Sequence, residues 1–358
     1  MINYSFVPST YKKEDCIFLL KDLTDVMEEI SVEEKEKRIA SGVNYSEMIS
    51  KEDFVSPEIN KLFLNMLDDG AEKLADYIGI ISDEAFRQKG NDLIIVSLAR
   101  AGSPIGVLIK RYLKFKYMIT VPHYSISIIR GKGIDENALH YILNKHPKGG
   151  LLFVDGWTGK GSITSELKKS IKEFNKKYEK NINDTLAVLA DPAKKSRIYG
   201  TREDVCIPNA CLNSTVSGLV SRTIHNPEYI QGKDFHGAKF FEGLKDEDFT
   251  NLFIEKIEEC FQKNHTVVSF EKPEESYVED VINYLIAEKV IPCGFDLTKL
   301  KLSIGETSRA IIRRKPAGIY VKNMDNPDLR FVLHMARLKQ IPVYERNLPG
   351  YACISVLA

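Results

Sequence analysis

The feature that most constrains this chain is a unit that recurs between residues 92 and 191: a short apolar run, a turn of small residues, then a helical pattern. Asp92–Leu98 runs into Ala99–Pro104 (Ala-Arg-Ala-Gly-Ser-Pro) and a helix carrying Ile105, Val107, Leu108 and Tyr112. Met118–Ile129, partly alternating, precedes a helix over 135–143. Leu151–Val154 ends in Asp155–Ser162 (Asp-Gly-Trp-Thr-Gly-Lys-Gly-Ser) and opens a helix over 163–174, and Thr185–Leu189 closes on Ala190 and Asp191. Runs of this kind, apolar on both faces and separated by helices, predict a parallel α/β sheet. Ligands of such sheets bind outside the carboxyl ends of the strands, where these turns lie.

The flanks extend this picture. Residues 10–90 read as mostly helical, with Ser56–Pro57 as cap and first helical position and a stripe through Ile59, Leu62, Phe63, Met66 and Leu67. Residues 200–245 are polar and lack a period, which inside a domain points to function. A helix over 247–261 closes the first unit. A smaller α/β layer follows. It has strands at Thr266–Phe270, Gly318–Val321, Ile341–Tyr344 and Cys353–Val356, and helices around 278–285, 306–313 and 328–338. At 358 residues and 43% hydrophobic, the chain is long enough for two cores, and the division is set at 1–262 and 265–358.

Composition excludes several classes. Fifty Lys and Arg balance fifty Asp and Glu, so any nucleic-acid surface is local. The six cysteines, at 16, 206, 211, 260, 293 and 353, include no Cys-x-x-Cys pair, and they read as reduced thiols. The first sixteen residues lack a basic stretch followed by an apolar one, and no apolar run approaches a membrane span. The expectation is a soluble, cytoplasmic protein with no membrane contact and no protein-held metal cluster.

The turn at 155–162 carries the strongest chemical signal. A strand delivers Asp155, and Thr158, Gly159, Lys160, Gly161 and Ser162 lead into a helix whose free N–H groups suit an anion. Walker A spacing is absent. The turn Ala99, Arg100, Ala101, Gly102 has the same plan, its arginine suited to bidentate phosphate contact. Arg130 and Lys132, beside glycines, read as a flap over a polyanion. Asp191, His123 and Arg222 are candidates for the acceptor side, as is His236.

These two turns resemble the pyrophosphate and phosphoribosyl-pyrophosphate (PRPP) loops of type I phosphoribosyltransferases, with Gly156 where that loop has its second acid. The resemblance implies a phosphoribosyltransferase-like fold and PRPP or a similar nucleotide-like small molecule as ligand. It also implies Mg²⁺ arriving with PRPP, held by substrate oxygens and Asp155. Displacement at the ribose carbon would leave Arg100 and Lys160 to stabilise the departing pyrophosphate. Over 10–262 the chain is also similar to a bacterial family associated with tellurite resistance and stress response. The matching stretches are 123–131, 153–161, 210–223 and 234–240. That family is labelled both as a phosphoribosyltransferase and as the StiP-type cysteine protease.

The leading expectation is therefore transfer of ribose 5-phosphate from PRPP to a base or small-molecule acceptor. The alternatives are a cysteine protease using Cys211 with His225 or His236 as base, and a non-catalytic nucleotide or RNA sensor. Near the C-terminus, residues 305–346 hold nine Lys or Arg against four acids. The order Gly305–Arg309, Ala317–Val321, Ile341–Val343 resembles Pelota/L7Ae-like RNA-binding domains. The resemblance implies RNA contact through Glu306, Arg309, Arg313, Arg314 and Lys315.

Overall fold

Residues 6–52, 54–265 and 268–357 are described in a computed structural model, and they form a mixed α/β protein. Six parallel strands make the main sheet, in the order Ile17–Phe18, His123–Ile126, Leu93–Leu98, Gly150–Trp157, Leu186–Ala190, Ile198–Thr201. The central strands carry apolar residues on both faces because both faces are covered. Ile95, Leu152 and Val154 face one apolar cluster, while Ile94, Val96, Leu151 and Phe153 face another. Phe153 is wholly buried, and its truncation to Ala would cost about 3–5 kcal/mol.

The helical stripe from Ile59 onward belongs to a helix of 33 residues, Pro57–Lys89. Ser56 caps it through a bond from the Ile59 N–H, and Pro57 holds the first position, where a missing N–H costs nothing. Its buried face packs on the helix Gly102–Tyr117 and on the sheet. The helices Glu136–Lys145 and Ser162–Tyr178 contribute to the other face.

A second sheet of four strands follows, ordered Leu300–Leu302, Cys353–Val356, Gly318–Val321, Val343–Glu345. The helices Ile304–Arg313 and Arg330–Leu338 pack together against it. The two sheets do not have separate interiors. Trp157, Val205 and Ile207 belong to the same apolar cluster as Ile304, Ile311 and Phe331.

Within the two larger sheets, three strands go beyond what the sequence pattern predicts: Ile17–Phe18, Ile198–Thr201 and Leu300–Leu302. Each has four residues or fewer, too short for a period to show. In the segment expected as a strand at 266–270, Thr266 and Val267 lie outside the described residues. Residues 268–270 are not in a strand, and Phe270 instead meets the Tyr199 ring edge-on at 5.3 Å. Residues 200–245 are irregular but largely buried: Asn209, Ser214, Ser217 and Ser221 all lie inside. Among the described residues no helix is long and apolar enough to cross a membrane.

Candidate functional site

The small-residue turns stand at the carboxyl ends of the sheet, and the C-terminal layer is docked onto them. Asp204 makes the join: its carboxylate accepts from the Ile304 N–H at 3.0 Å and the Ala352 N–H at 2.9 Å, and also from Cys353. Burial pushes this carboxyl up to about 7, against the pull of those three donors. Tyr351 donates its hydroxyl to the Gly159 carbonyl at 2.7 Å. A β-carbon at Gly159 would lie 2.6 Å from Glu306 Cγ, so only glycine permits this approach.

The proposed phosphate grip is thereby spent on the protein itself. Lys160 donates to the Leu297 carbonyl, and burial lowers its ammonium to about 8, helped by Lys301 and Arg130. Thr158 donates to Asp191 at 2.5 Å, and Asp191 also takes the Lys195 and Ser196 amides and pairs with Arg202. Asp155 is held up near 6 by burial, against the pull of the Gly156 N–H and of Arg309. Gly161 and Ser162 start the following helix. In the neighbouring turn, Arg100 donates to the Val220 carbonyl and to Glu52 Oε1, both at 2.7 Å. Ala101 and Gly102 present backbone carbonyls to Asn209 and Ser97, and Ala99 packs against the core. The hairpin carrying Arg130 and Lys132 is pinned down: Tyr45 takes the Arg130 N–H, and Glu47 and the His225 carbonyl take the Lys132 ammonium.

The thiols and imidazoles fall into three separate places. Cys211, 1% exposed, has its sulfur 3.9 Å from that of Cys206, with no imidazole in contact among the described residues. The Cys206 thiol is pushed up by its bond with Cys211 and by burial. His225 and His236 stand elsewhere, edge to face at 4.6 Å, on a cavity of about 400 Å³ that Lys132, Asp135 and Tyr178 also line. His236 bonds Ser127 Oγ at 2.8 Å, and burial, then His225 and Lys132, hold it near 3.

The third place is the contact that unites thiol and imidazole. Cys16 Sγ lies 3.8 Å from His123 Nε2. His123 Nδ1 lies 2.9 Å from the Asp15 carbonyl, which only accepts, so the network assigns the ring proton to Nδ1 and leaves Nε2 as acceptor. Ser97 Oγ lies 2.8 Å from that nitrogen and 2.9 Å from the Gly102 carbonyl, and its single proton serves one of these two acceptors at a time. Burial holds His123 near 3 and pushes the Cys16 thiol up, so both are neutral as folded. A helix roofs the group: a β-carbon at Gly106 would strike Ser97 and His123. The other cover is the turn Lys12–Asp15, latched by Lys110 on the Glu14 carbonyl and by Arg111 on both Asp15 carboxylate oxygens. Sequence reasoning placed His123 on an acceptor side and passed over Cys16. Only the parallel pairing of Ile17 with Tyr124 brings them together.

Among the described residues no group of three or more His, Cys, Asp or Glu is placed to hold a metal ion. The Mg²⁺ expectation rested on PRPP alone.

Comparison with known proteins gives two family matches. A model described as tellurite-like stress resistance cysteine protease StiP covers residues 9–258, and one for the PELOTA RNA binding domain covers 295–358. A protein named cysteine protease StiP, from Acinetobacter baylyi (strain ATCC 33305 / BD413 / ADP1), is 31% identical over 349 residues. That alignment spans 93% of this chain and 89% of the relative. These matches overturn the phosphoribosyltransferase expectation, since the matching family and relative are both described as a cysteine protease. The docked C-terminal layer, with Lys160 and Gly159 engaged by its residues, gives the physical reason the turns misled. The transferase roles of Arg100, Asp155 and Lys160 are not carried further. With a family match over most of its length and a relative aligned over about nine-tenths of both chains, the chain belongs to the StiP family of tellurite-like stress resistance proteins.

Proposed function

We propose that this chain is a cysteine peptidase whose nucleophile is Cys16, with His123 as base and the Asp15 carbonyl orienting the imidazole. The observation that supports it is the 3.8 Å contact between Cys16 Sγ and His123 Nε2. Nucleophile, base and orienting acceptor stand in the order that nucleophilic catalysis requires. Nε2 takes the thiol proton as sulfur attacks the scissile carbonyl and later returns it to the departing amine. Water then cleaves the thioester.

The pair is neutral and covered, so attack follows displacement of the Lys12–Asp15 turn. Hydration there lifts the burial that disfavours both the thiolate and the imidazolium. Substitution tests the assignment: Cys16→Ala abolishes peptidase activity and Cys211→Ala retains it. The reverse pattern transfers the nucleophile to Cys211.

The division at 262/265 is proposed with this reading, supported by family matches that end at 258 and begin at 295. RNA contact in the second layer is assigned to Arg314 and Lys315, which are exposed. Glu306 and Arg309 instead face the first layer, against Gly159 and Trp157. Six free cysteines, four of them buried, fit the cytoplasm as its location.

A further inference from the structure

The cavity of about 400 Å³ beside His225 and His236 lies wholly within the first layer, and its volume is in the range of small-molecule sites. The helices Glu136–Lys145 and Ser162–Tyr178 and the loop through residues 230–236 enclose it. Asp135 and His236 line its buried end, and His236 is 8% exposed. Glu173 and Gln231 stand exposed at its rim.

The donors of this cavity are already engaged. Lys132 gives its ammonium to Glu47 at 2.8 Å and to the His225 carbonyl at 3.0 Å. Lys177 gives its own to Glu136 at 2.7 Å, and Tyr178 donates its hydroxyl to the same carboxylate. Asp234 is neutralised from behind by Lys21 at 2.7 Å. Asn137 spends both amide protons, on the Gly232 carbonyl at 3.2 Å and the Asp234 carbonyl at 2.7 Å.

Acceptors, by contrast, are left over. The Asp135 carboxylate takes the Ala138 N–H at 3.0 Å and the His236 N–H at 2.6 Å, but it meets no cation among the described residues. Burial raises this carboxyl to about 6, against the pull of those N–H groups and that of Asn137, so it is largely ionised at neutral pH. Glu173 has no ion pair or hydrogen bond among the described residues. His225 Nδ1 is buried without a partner, and His236 bonds only through Nδ1, to Ser127. Burial, then Lys132, lowers His225, and burial, then His225 and Lys132, holds His236 near 3. Both rings are therefore neutral, and each keeps an acceptor nitrogen.

A pocket with its donors engaged, its acceptors free and two carboxylates lacking a cation is complementary to a cation that carries N–H donors. Among the described residues no three of its acids and imidazoles are placed to hold a metal ion, so the fitting cation is an extended organic one. We infer that this cavity binds a small alkyl diamine, with one ammonium on Asp135 at the buried end and the other on Glu173 at the rim. The inference goes beyond the peptidase reading and does not rest on it.

Calorimetric titration of the full chain with putrescine, in an amine-free buffer of low ionic strength, tests this. Saturable binding is expected, weakened about tenfold or more by Asp135→Asn and by Glu173→Gln. Glu173 is exposed and can lose its charge without losing a contact, so this variant decides the matter even where Asp135→Asn disturbs the fold. n-Butylamine, with a single ammonium on a chain of the same length, binds at least about tenfold more weakly. Glu279→Gln, which removes an exposed carboxylate of the second layer, leaves putrescine binding unchanged. Absence of saturable binding, undiminished binding in Glu173→Gln, equal weakening by Glu279→Gln, or n-butylamine binding as tightly as putrescine overturns the inference. So does zinc ion that binds at these residues while putrescine is inert.

Discussion

Cys16 and His123 are 107 positions apart in the chain, yet sulfur and imidazole nitrogen lie 3.8 Å from each other beneath a turn latched by Arg111. The contact exists because Ile17–Phe18, a strand of two residues, pairs in parallel with Tyr124 and Ser125. Cys16 and His123 are therefore carried to the same end of neighbouring strands.

If this pair performs the chemistry, His123→Gln lowers peptidase kcat by about a thousandfold or more, as loss of a catalytic base does, while the chain stays folded. Ser97→Ala removes a competing bond to Nε2 and leaves activity within about tenfold. Steady-state kinetics on a fluorogenic peptide distinguishes these outcomes. An active His123→Gln enzyme removes the base.

The latch sets access to the thiol. Arg111 holds Asp15 on one side and Glu258 on the other. Arg111→Met should free the turn and raise the rate of Cys16 alkylation by iodoacetamide at least severalfold, read by peptide mass spectrometry. In the unaltered protein Cys293, the exposed thiol, labels first, and Cys16 and Cys211 label slowly.

Acid and base sides of the stability profile have separate owners. His123 is held near 3 by burial, below its ordinary 6.5, so the unfolded chain binds a proton that the folded one refuses. Its contribution is complete above about pH 6.5 and is lost as pH falls toward 3. Asp204 has the opposite sign. Held near 7 against an ordinary 3.8, it keeps a proton in the fold, and its contribution is complete below about pH 4 and is lost as pH rises toward 7. Urea midpoints measured across this range should show His123→Gln flattening the acid limb and Asp204→Asn the neutral one.

Docking of the second layer hangs on the same carboxylate. Asp204→Ala leaves the Ile304, Ala352 and Cys353 N–H groups without their acceptor and should destabilise the protein by about 2–3 kcal/mol. Limited proteolysis between 259 and 294 should accelerate in this variant. Unaltered cleavage would place the docking energy elsewhere, in the apolar contacts around Trp157 and Ile304.

Local pattern was enough for the elements that carry their own signal. Ser56–Pro57 with its apolar stripe, the buried runs at 93–98 and 151–154, and Gly318–Val321 are legible because capping, burial and period act within one element. The turn at 155–162 was legible as a turn at a strand end but not in its use. Its glycine and lysine serve a neighbouring layer whose approach no window of sequence contains.

The sequence by itself determined the parallel α/β architecture, the smaller layer after it, and the family, because burial and long matched stretches are properties of contiguous residues. Tertiary structure alone decided which thiol meets an imidazole, and which groups of the turn at 155–162 the second layer engages. Those relations arise from strand order and docking, which bring together groups separated by a hundred residues or more, and hydrogen-bond distance leaves no trace in spacing along the chain.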